Sequence, residues 1–361
     1  MYALLFAGGF GQRLWPISRK NSPKQFTPLM GDKSSLQLAV ERLSDLFPPE
    51  NIFISTNKKY DNLVKAQCPE VPVSNFILEP TRRDLAAAVA LSFFKLYARG
   101  LRGPILFQWS DNYIQNTENL LKAIEVGRTL INERADRIVF LGETPRFPSE
   151  NLGWIEQGEK LGQVDSTPYY AFRSWHYRPK REQCVEMLAS GRYVWNPGYF
   201  VTTIEFVVAQ FRKLAPEISP IVEDIVSYEG TAQEEEKLAS LYQTIPAMHF
   251  DEAFLERLGP DHAILLKTDL KWSDPGSLYA LKEALQTSTE ANVTQGKVVE
   301  VKTCDSLIIN EEPSKVVAIM GLEGIMVVNT ADALLVISKD AVRYMASLLS
   351  KLEEAGHAEV L

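Results

Sequence analysis

Gly8, Gly9, Gly11, Arg13 and Lys24 are the residues whose types and spacing carry the most chemistry in this chain. They belong to Ala7-Gly8-Gly9-Phe10-Gly11-Gln12-Arg13-Leu14-Trp15-Pro16, which runs on through Ser18-Arg19 to Pro23-Lys24-Gln25-Phe26. Glycines let a backbone come close to an anion and aim N–H groups at it, while an arginine and a lysine neutralise the charge that remains. A polyphosphate suits that arrangement. No Gly-Lys-Ser/Thr closes the stretch, so it is not a P-loop, and its glycine spacing does not match the Gly-x-Gly-x-x-Gly of dinucleotide sites. Taken alone, the turn also reads as an ordinary surface loop.

Two aspartates form a second constellation. Asp111 ends the apolar run Ile105-Leu106-Phe107-Gln108-Trp109-Ser110, and Asp274 lies in the turn Lys271-Trp272-Ser273-Asp274-Pro275-Gly276-Ser277. Aspartates at strand ends and turns commonly cap helices or bond their own backbone. With phosphate oxygens and water, two of them also make the oxygen-rich surroundings that Mg²⁺ prefers. Glu79-Pro80-Thr81-Arg82-Arg83-Asp84 leads into the alanine-rich Leu85-Ala86-Ala87-Ala88, with Asp84 expected as the helix N-cap. The three cysteines, Cys68, Cys184 and Cys304, read as buried free thiols, and the four histidines lack metal-ligand spacing.

These residues need a scaffold. Residues 2–6 read as a buried first strand, which puts the glycine turn at a strand's carboxyl end, where open α/β sheets bind ligands. Strand-like runs at 51–55, 75–78, 105–108 and 138–141 alternate with helical patterns at 35–47 and 84–98, so an α/β fold with parallel strands is expected. From about residue 293 short apolar pieces at 297–301, 307–309, 316–320 and 325–328 predict a small all-β module. Helical spacing at 339–354 predicts a terminal helix packed on that module or on a second subunit. At 361 residues and 45% hydrophobic content the chain is long for one domain, and the expected division is 1–290 and 291–361. A net charge of −8 argues against general nucleic-acid binding. The lack of a membrane-spanning apolar stretch and of a charged leader leads us to expect a cytoplasmic protein with no membrane partner.

The opening string resembles the Gly-Gly-x-Gly-x-Arg-Leu-Trp-Pro-x-Ser-Arg…Pro-Lys-Gln-Phe signature of bacterial mannose-1-phosphate guanylyltransferases, within the sugar-nucleotidyltransferase superfamily. Further segments follow the family pattern along nearly the whole chain, including Leu152-Gly153-Trp154-Ile155-Glu156, Trp195-Asn196-Pro197-Gly198 and residues 316–322 and 327–336. The resemblance implies a Rossmann-like nucleotidyltransferase domain with a mixed, mainly parallel sheet, and a C-terminal module resembling a left-handed β-helix. It implies that Gly8, Gly9, Gly11, Glu79 and Pro80 bind the nucleotide and that Arg13 and Lys24 act on the triphosphate. Gly153, Arg178 and Asn196 would bind the sugar phosphate, and Asp111 and Asp274 would hold Mg²⁺. Glu79 would read guanine, since a carboxylate accepts the paired N1–H and N2–H donors that adenine does not offer.

The resemblance also implies the reaction. GTP and mannose 1-phosphate would give GDP-mannose and pyrophosphate, and a homodimer through the C-terminal module is a further expectation. Five positions in three segments depart from the family: Asp84-Leu85 replaces Asn-Thr, Asn112 replaces a histidine, and Tyr177-Arg178 replaces Glu-Lys. They leave room for a nucleotidyltransferase acting on a different sugar 1-phosphate, or for a catalytically silent regulator that binds a GDP-sugar.

Overall fold

The computed structural model describes every residue of the chain except Phe10, Met30 and Thr289. Phe10 of the opening signature therefore lies outside the described residues. The strands are β1 (Tyr2–Phe6), β2 (Ile52–Asn57), β3 (Phe76–Glu79), β4 (Pro104–Trp109), β5 (Tyr113–Ile114), β6 (Ile138–Glu143), β7 (Gly153–Val164), β8 (Thr167–Tyr177), β9 (Tyr193–Asn196), β10 (Phe200–Thr203), β11 (Ala263–Thr268) and β12 (Trp272–Ser273). The C-terminal part adds β13 (Val293–Gln295), β14 (Val298–Val301), β15 (Leu307–Asn310), β16 (Val317–Met320), β17 (Ile325–Asn329) and β18 (Leu334–Ser338). Two compact units result. One comprises Met1–Ala7, Val40–Trp109 and Ile114–Trp272, and the other Gly8–Ala39, Ser110–Tyr113 and Ser273–Leu361.

The first unit is built on a mixed ten-stranded sheet ordered β11-β8-β7-β9-β6-β10-β4-β1-β2-β3. Its β4-β1-β2-β3 half is parallel, with Leu4 flanked by Phe53 and Phe107. Strands covered on both faces need apolar residues at every position, and Leu4, Leu5, Ile105, Leu106 and Phe107 are all fully buried. Antiparallel β10 lies between β4 and β6, and the ring of its Phe200 stacks on Phe107 at 4.4 Å. The hairpin β7–β8 turns through Asp165 and Ser166, both at positive φ, as a two-residue hairpin turn requires. Helix Asp84–Ala98 has the ends expected from sequence and is buried from Ala86 to Leu96. The helix expected over 35–47 is shorter, Ser35–Leu43. Leu46 and Phe47 turn back to bond the Leu43 carbonyl just before Pro48-Pro49, which disfavour helical continuation.

In the second unit, β13, β15 and β17 stack in parallel, β14 pairs in parallel with β16, and antiparallel β18 closes the β17 edge. Leu307, Ile309, Met326, Val328 and Leu335 point inward to one core. The terminal segment packs on this core, as a tight turn over Lys339–Tyr344 and an α-helix over Met345–Glu354 that contributes Val342, Met345 and Leu349. Leu14, Trp15 and Ile17 of the glycine-turn signature share the same core. The cysteines are free, Cys68 and Cys184 buried and Cys304 half-buried.

Candidate active site

The glycine turn is shaped by its own residues. Gly9 and Gly11 have φ of 105° and 59°, a region costly for residues with a Cβ. At Gly11 a Cβ would also stand 2.6 Å from Ser18 Oγ and 3.0 Å from Lys24 Cβ, so glycine there is what lets Lys24 lie against the turn. Beyond it, Trp15 Nε1 donates to the Val360 carbonyl at 2.7 Å, and Arg19 binds Asp332 at 2.7 Å and the carbonyls of Pro16 and Val360. The Leu-Trp-Pro and Ser-Arg parts of the signature are therefore anchors, and Arg13 is the arginine left for a ligand. It is exposed and makes no ion pair among the described residues.

Lys24, Asp111 and Asp274 come together. Lys24 Nζ lies 2.8 Å from Asp111 Oδ2 and 3.2 Å from Asp274 Oδ1. Burial pulls its pKa down, but the two carboxylates more than offset this, so Lys24 is held protonated above its ordinary value. Gly276 brings Arg13 to the same place, since a Cβ there would stand 3.2 Å from Arg13 Nη2 and 3.3 Å from Asp274 Oδ1. Two hard carboxylates converging on one cationic group suit Mg²⁺, which takes few protein carboxylates and completes its shell with phosphate oxygens and water. Among the described residues no cluster of three or more His, Cys, Asp or Glu side chains could hold a metal, so such a site would rest on this pair.

In the first unit, Glu79 ends β3 with Pro80 behind it, and its Oε2 accepts a 2.6 Å hydrogen bond from the Tyr242 hydroxyl. Burial pushes the Glu79 carboxyl up to about 7, against the Tyr242 hydrogen bond and the charge of Arg82. Sequence reasoning misses Tyr242; 163 positions separate it from Glu79, and nothing local marks it. Asp84 corrects the capping expectation. At φ 60° it opens the helix itself, and its carboxylate accepts from the adjacent Leu85 N–H at 2.9 Å, not from a donor two or three residues on.

The three expected sugar-phosphate residues share one level of the sheet. Gly153 on β7 pairs with Tyr177 on β8 and with Asn196 on β9, and Arg178 follows Tyr177. A Cβ at Gly153 would sit 3.0 Å from the Trp175 ring, so this position keeps the backbone bare. Asn196 Oδ1 accepts from Gly198 N–H at 2.9 Å, which leaves its Nδ2 donors without a protein partner among the described residues. Trp195 beside it is a core residue, edge-on to Trp154. The exposed Arg178 guanidinium lies 5.1 Å from the Tyr177 ring and makes no salt bridge among the described residues. Tyr177 in turn lies near His249, and burial pushes nearby Asp251 up to about 6.

Comparison with known proteins adds the following. The nucleotidyl transferase family model matches residues 2–291, and the MannoseP isomerase/GMP-like beta-helix domain matches residues 296–352. A mannose-1-phosphate guanylyltransferase 2 of Escherichia coli O157:H7 is 31% identical over 99% of this chain and 76% of its own length. A mannose-1-phosphate guanylyltransferase of Klebsiella pneumoniae is 32% identical over 93% of this chain and 70% of its own. The crystal structure of a Thermus thermophilus protein, described as a mannose-1-phosphate geranyltransferase, superposes with a TM-score of 0.86 at 27% identity, covering 98% of this chain and 99% of that one. With sequence similarity running along nearly its whole length, the chain belongs to the mannose-1-phosphate guanylyltransferase family of nucleotidyl transferases.

Proposed function

We propose that the chain transfers GMP from GTP to mannose 1-phosphate, forming GDP-mannose and releasing pyrophosphate. The observation that carries the reading is the gathering of Arg13, Lys24, Asp111 and Asp274 around one point, two cations and two carboxylates drawn from distant parts of the sequence. A sugar phosphate is already ionised at neutral pH, so no protein nucleophile is required. Its oxygen attacks the α-phosphorus of GTP in line, the bond to the bridging oxygen breaks, and the electron pair leaves with pyrophosphate.

The protein's part is to position two polyanions and to stabilise charge growing on the equatorial and leaving oxygens. Arg13 and Lys24 serve the triphosphate beside the backbone N–H groups of Gly8, Gly9 and Gly11. Asp111 and Asp274 would hold Mg²⁺, which when bound draws phosphate charge toward itself and orients the oxygens. Glu79 and Pro80 take the guanine, and Gly153, Asn196 and Arg178 the sugar phosphate, with the planar guanidinium suited to two-point contact with a phosphate. Support for mannose comes from the names of the relatives. A second reading, a different sugar 1-phosphate, has in its favour the exposed Tyr177 where the family pattern carries a glutamate.

Pyrophosphate release across a matrix of nucleoside triphosphates and sugar 1-phosphates tests both. GTP with mannose 1-phosphate is expected to be the fastest pair. A faster sugar would overturn only the mannose assignment, and no release with any pair would overturn the reaction.

A further inference from the structure

We propose that Tyr242 is a positioning residue for base recognition, its hydroxyl fixing Glu79 as the acceptor for a purine edge that offers two adjacent N–H donors. The inference rests on the guanine reading and deepens it. Tyr242 closes helix Glu234–Tyr242, is fully buried in the core of the first unit, and presents its hydroxyl to Glu79 Oε2 at 2.6 Å. A buried tyrosine hydroxyl requires a partner, and this one has taken a carboxylate at the carboxyl end of a sheet strand, where ligands of such sheets bind. Among the described residues that is the one hydrogen bond the Glu79 side chain makes. Oε1 is therefore open to a ligand, and Oε2 keeps a second acceptor direction.

The protonation state of Glu79 makes this placement matter. Only the carboxylate accepts two N–H donors, whereas the neutral acid presents a donor of its own. Burial raises Glu79 to about 7, so near neutral pH both forms are populated, and Tyr242 and Arg82 favour the charged one. Arg83 acts on the Tyr242 side of the pair. Removing the hydroxyl takes away a stabiliser of the carboxylate, so Glu79 titrates at higher pH and a larger neutral fraction meets the nucleotide at pH 7.

The test is Y242F in the full chain, assayed with GTP, ITP and ATP from pH 6 to 9. Phenylalanine keeps the ring in its slot and deletes only the hydroxyl. The KM for GTP should rise about tenfold at pH 7, the loss typical of a hydrogen bond to a charged group. Its pH dependence should move upward, while kcat and the KM for the sugar phosphate stay put. In an E79Q background, where residue 79 no longer titrates, Y242F should add nothing further. A wild type without preference for GTP overturns the guanine reading and this inference with it. A wild type that prefers GTP, together with an unshifted Y242F profile or with additive effects in the double variant, overturns the inference alone.

Discussion

Arg13 and Lys24 carry the same charge in the same cluster, yet their surroundings assign them different costs. Arg13 is exposed and unpaired by carboxylates among the described residues, so R13A should remove transition-state stabilisation and little else. We expect turnover to fall by about 3–4 kcal/mol, the measured scale for one oxyanion-type donor, with thermal unfolding shifted by less than roughly 0.5 kcal/mol. Lys24 is buried and holds Asp111 and Asp274 together, so K24M should lose a comparable share of turnover and also destabilise the fold by about 1–3 kcal/mol. Thermal melts beside kcat measurements separate the two; equal melting temperatures for both variants would show that Lys24 does not hold the acidic pair.

At the scale of elements, the three-strand register at Gly153, Tyr177 and Asn196 depends on how the chain turns between β9 and β10. Gly198 makes that turn at φ 76°, and a Cβ there would stand 1.8 Å from Trp109 Nε1. G198A should therefore destabilise by about 2–4 kcal/mol and raise the KM for the sugar phosphate more than that for GTP, read from urea unfolding and steady-state kinetics. Much of this layer was legible in the sequence. Continuous apolar runs marked β1, β4 and β6, and periodicity marked helix Asp84–Ala98, because burial on both faces and helical spacing leave direct traces. The signature loop and the two aspartates were legible as motifs. That Lys24 joins Asp111 to Asp274, or that Tyr242 reaches Glu79, was not, because no local pattern reports a contact across 250 or 163 positions. An apolar run also carries no direction, which is why the antiparallel insertion of β10 is visible only in the pairing.

Over the whole molecule, the compact units do not follow the chain: the signature loop belongs with the C-terminal coils, its Leu14, Trp15 and Ile17 sharing their core. That unit also contains a charge triad, in which the buried Asp305 binds Lys282, itself fully buried, and the half-buried Lys339 at 2.5 Å. Burial alone would raise Asp305, but hydrogen bonds from both lysines override it and hold the carboxyl below the usual range. Its stabilising effect is thus present above the unfolded-state value of about 3.9 and lost as pH falls through the depressed folded value. D305N should take the one carboxylate of the triad from Lys282 and Lys339, leaving the Lys282 charge to neutral partners such as Gln286, and cost about 3–5 kcal/mol at pH 7, a difference that narrows in acid unfolding curves. The central claim, that this chain builds a nucleotide sugar, is tested most directly by incubating it with Mg²⁺, mannose 1-phosphate and GTP labelled at the α-phosphorus. The account predicts label in GDP-mannose with one pyrophosphate released per label transferred, whereas label left in GTP for every sugar 1-phosphate offered, or trapped on the protein, would contradict it.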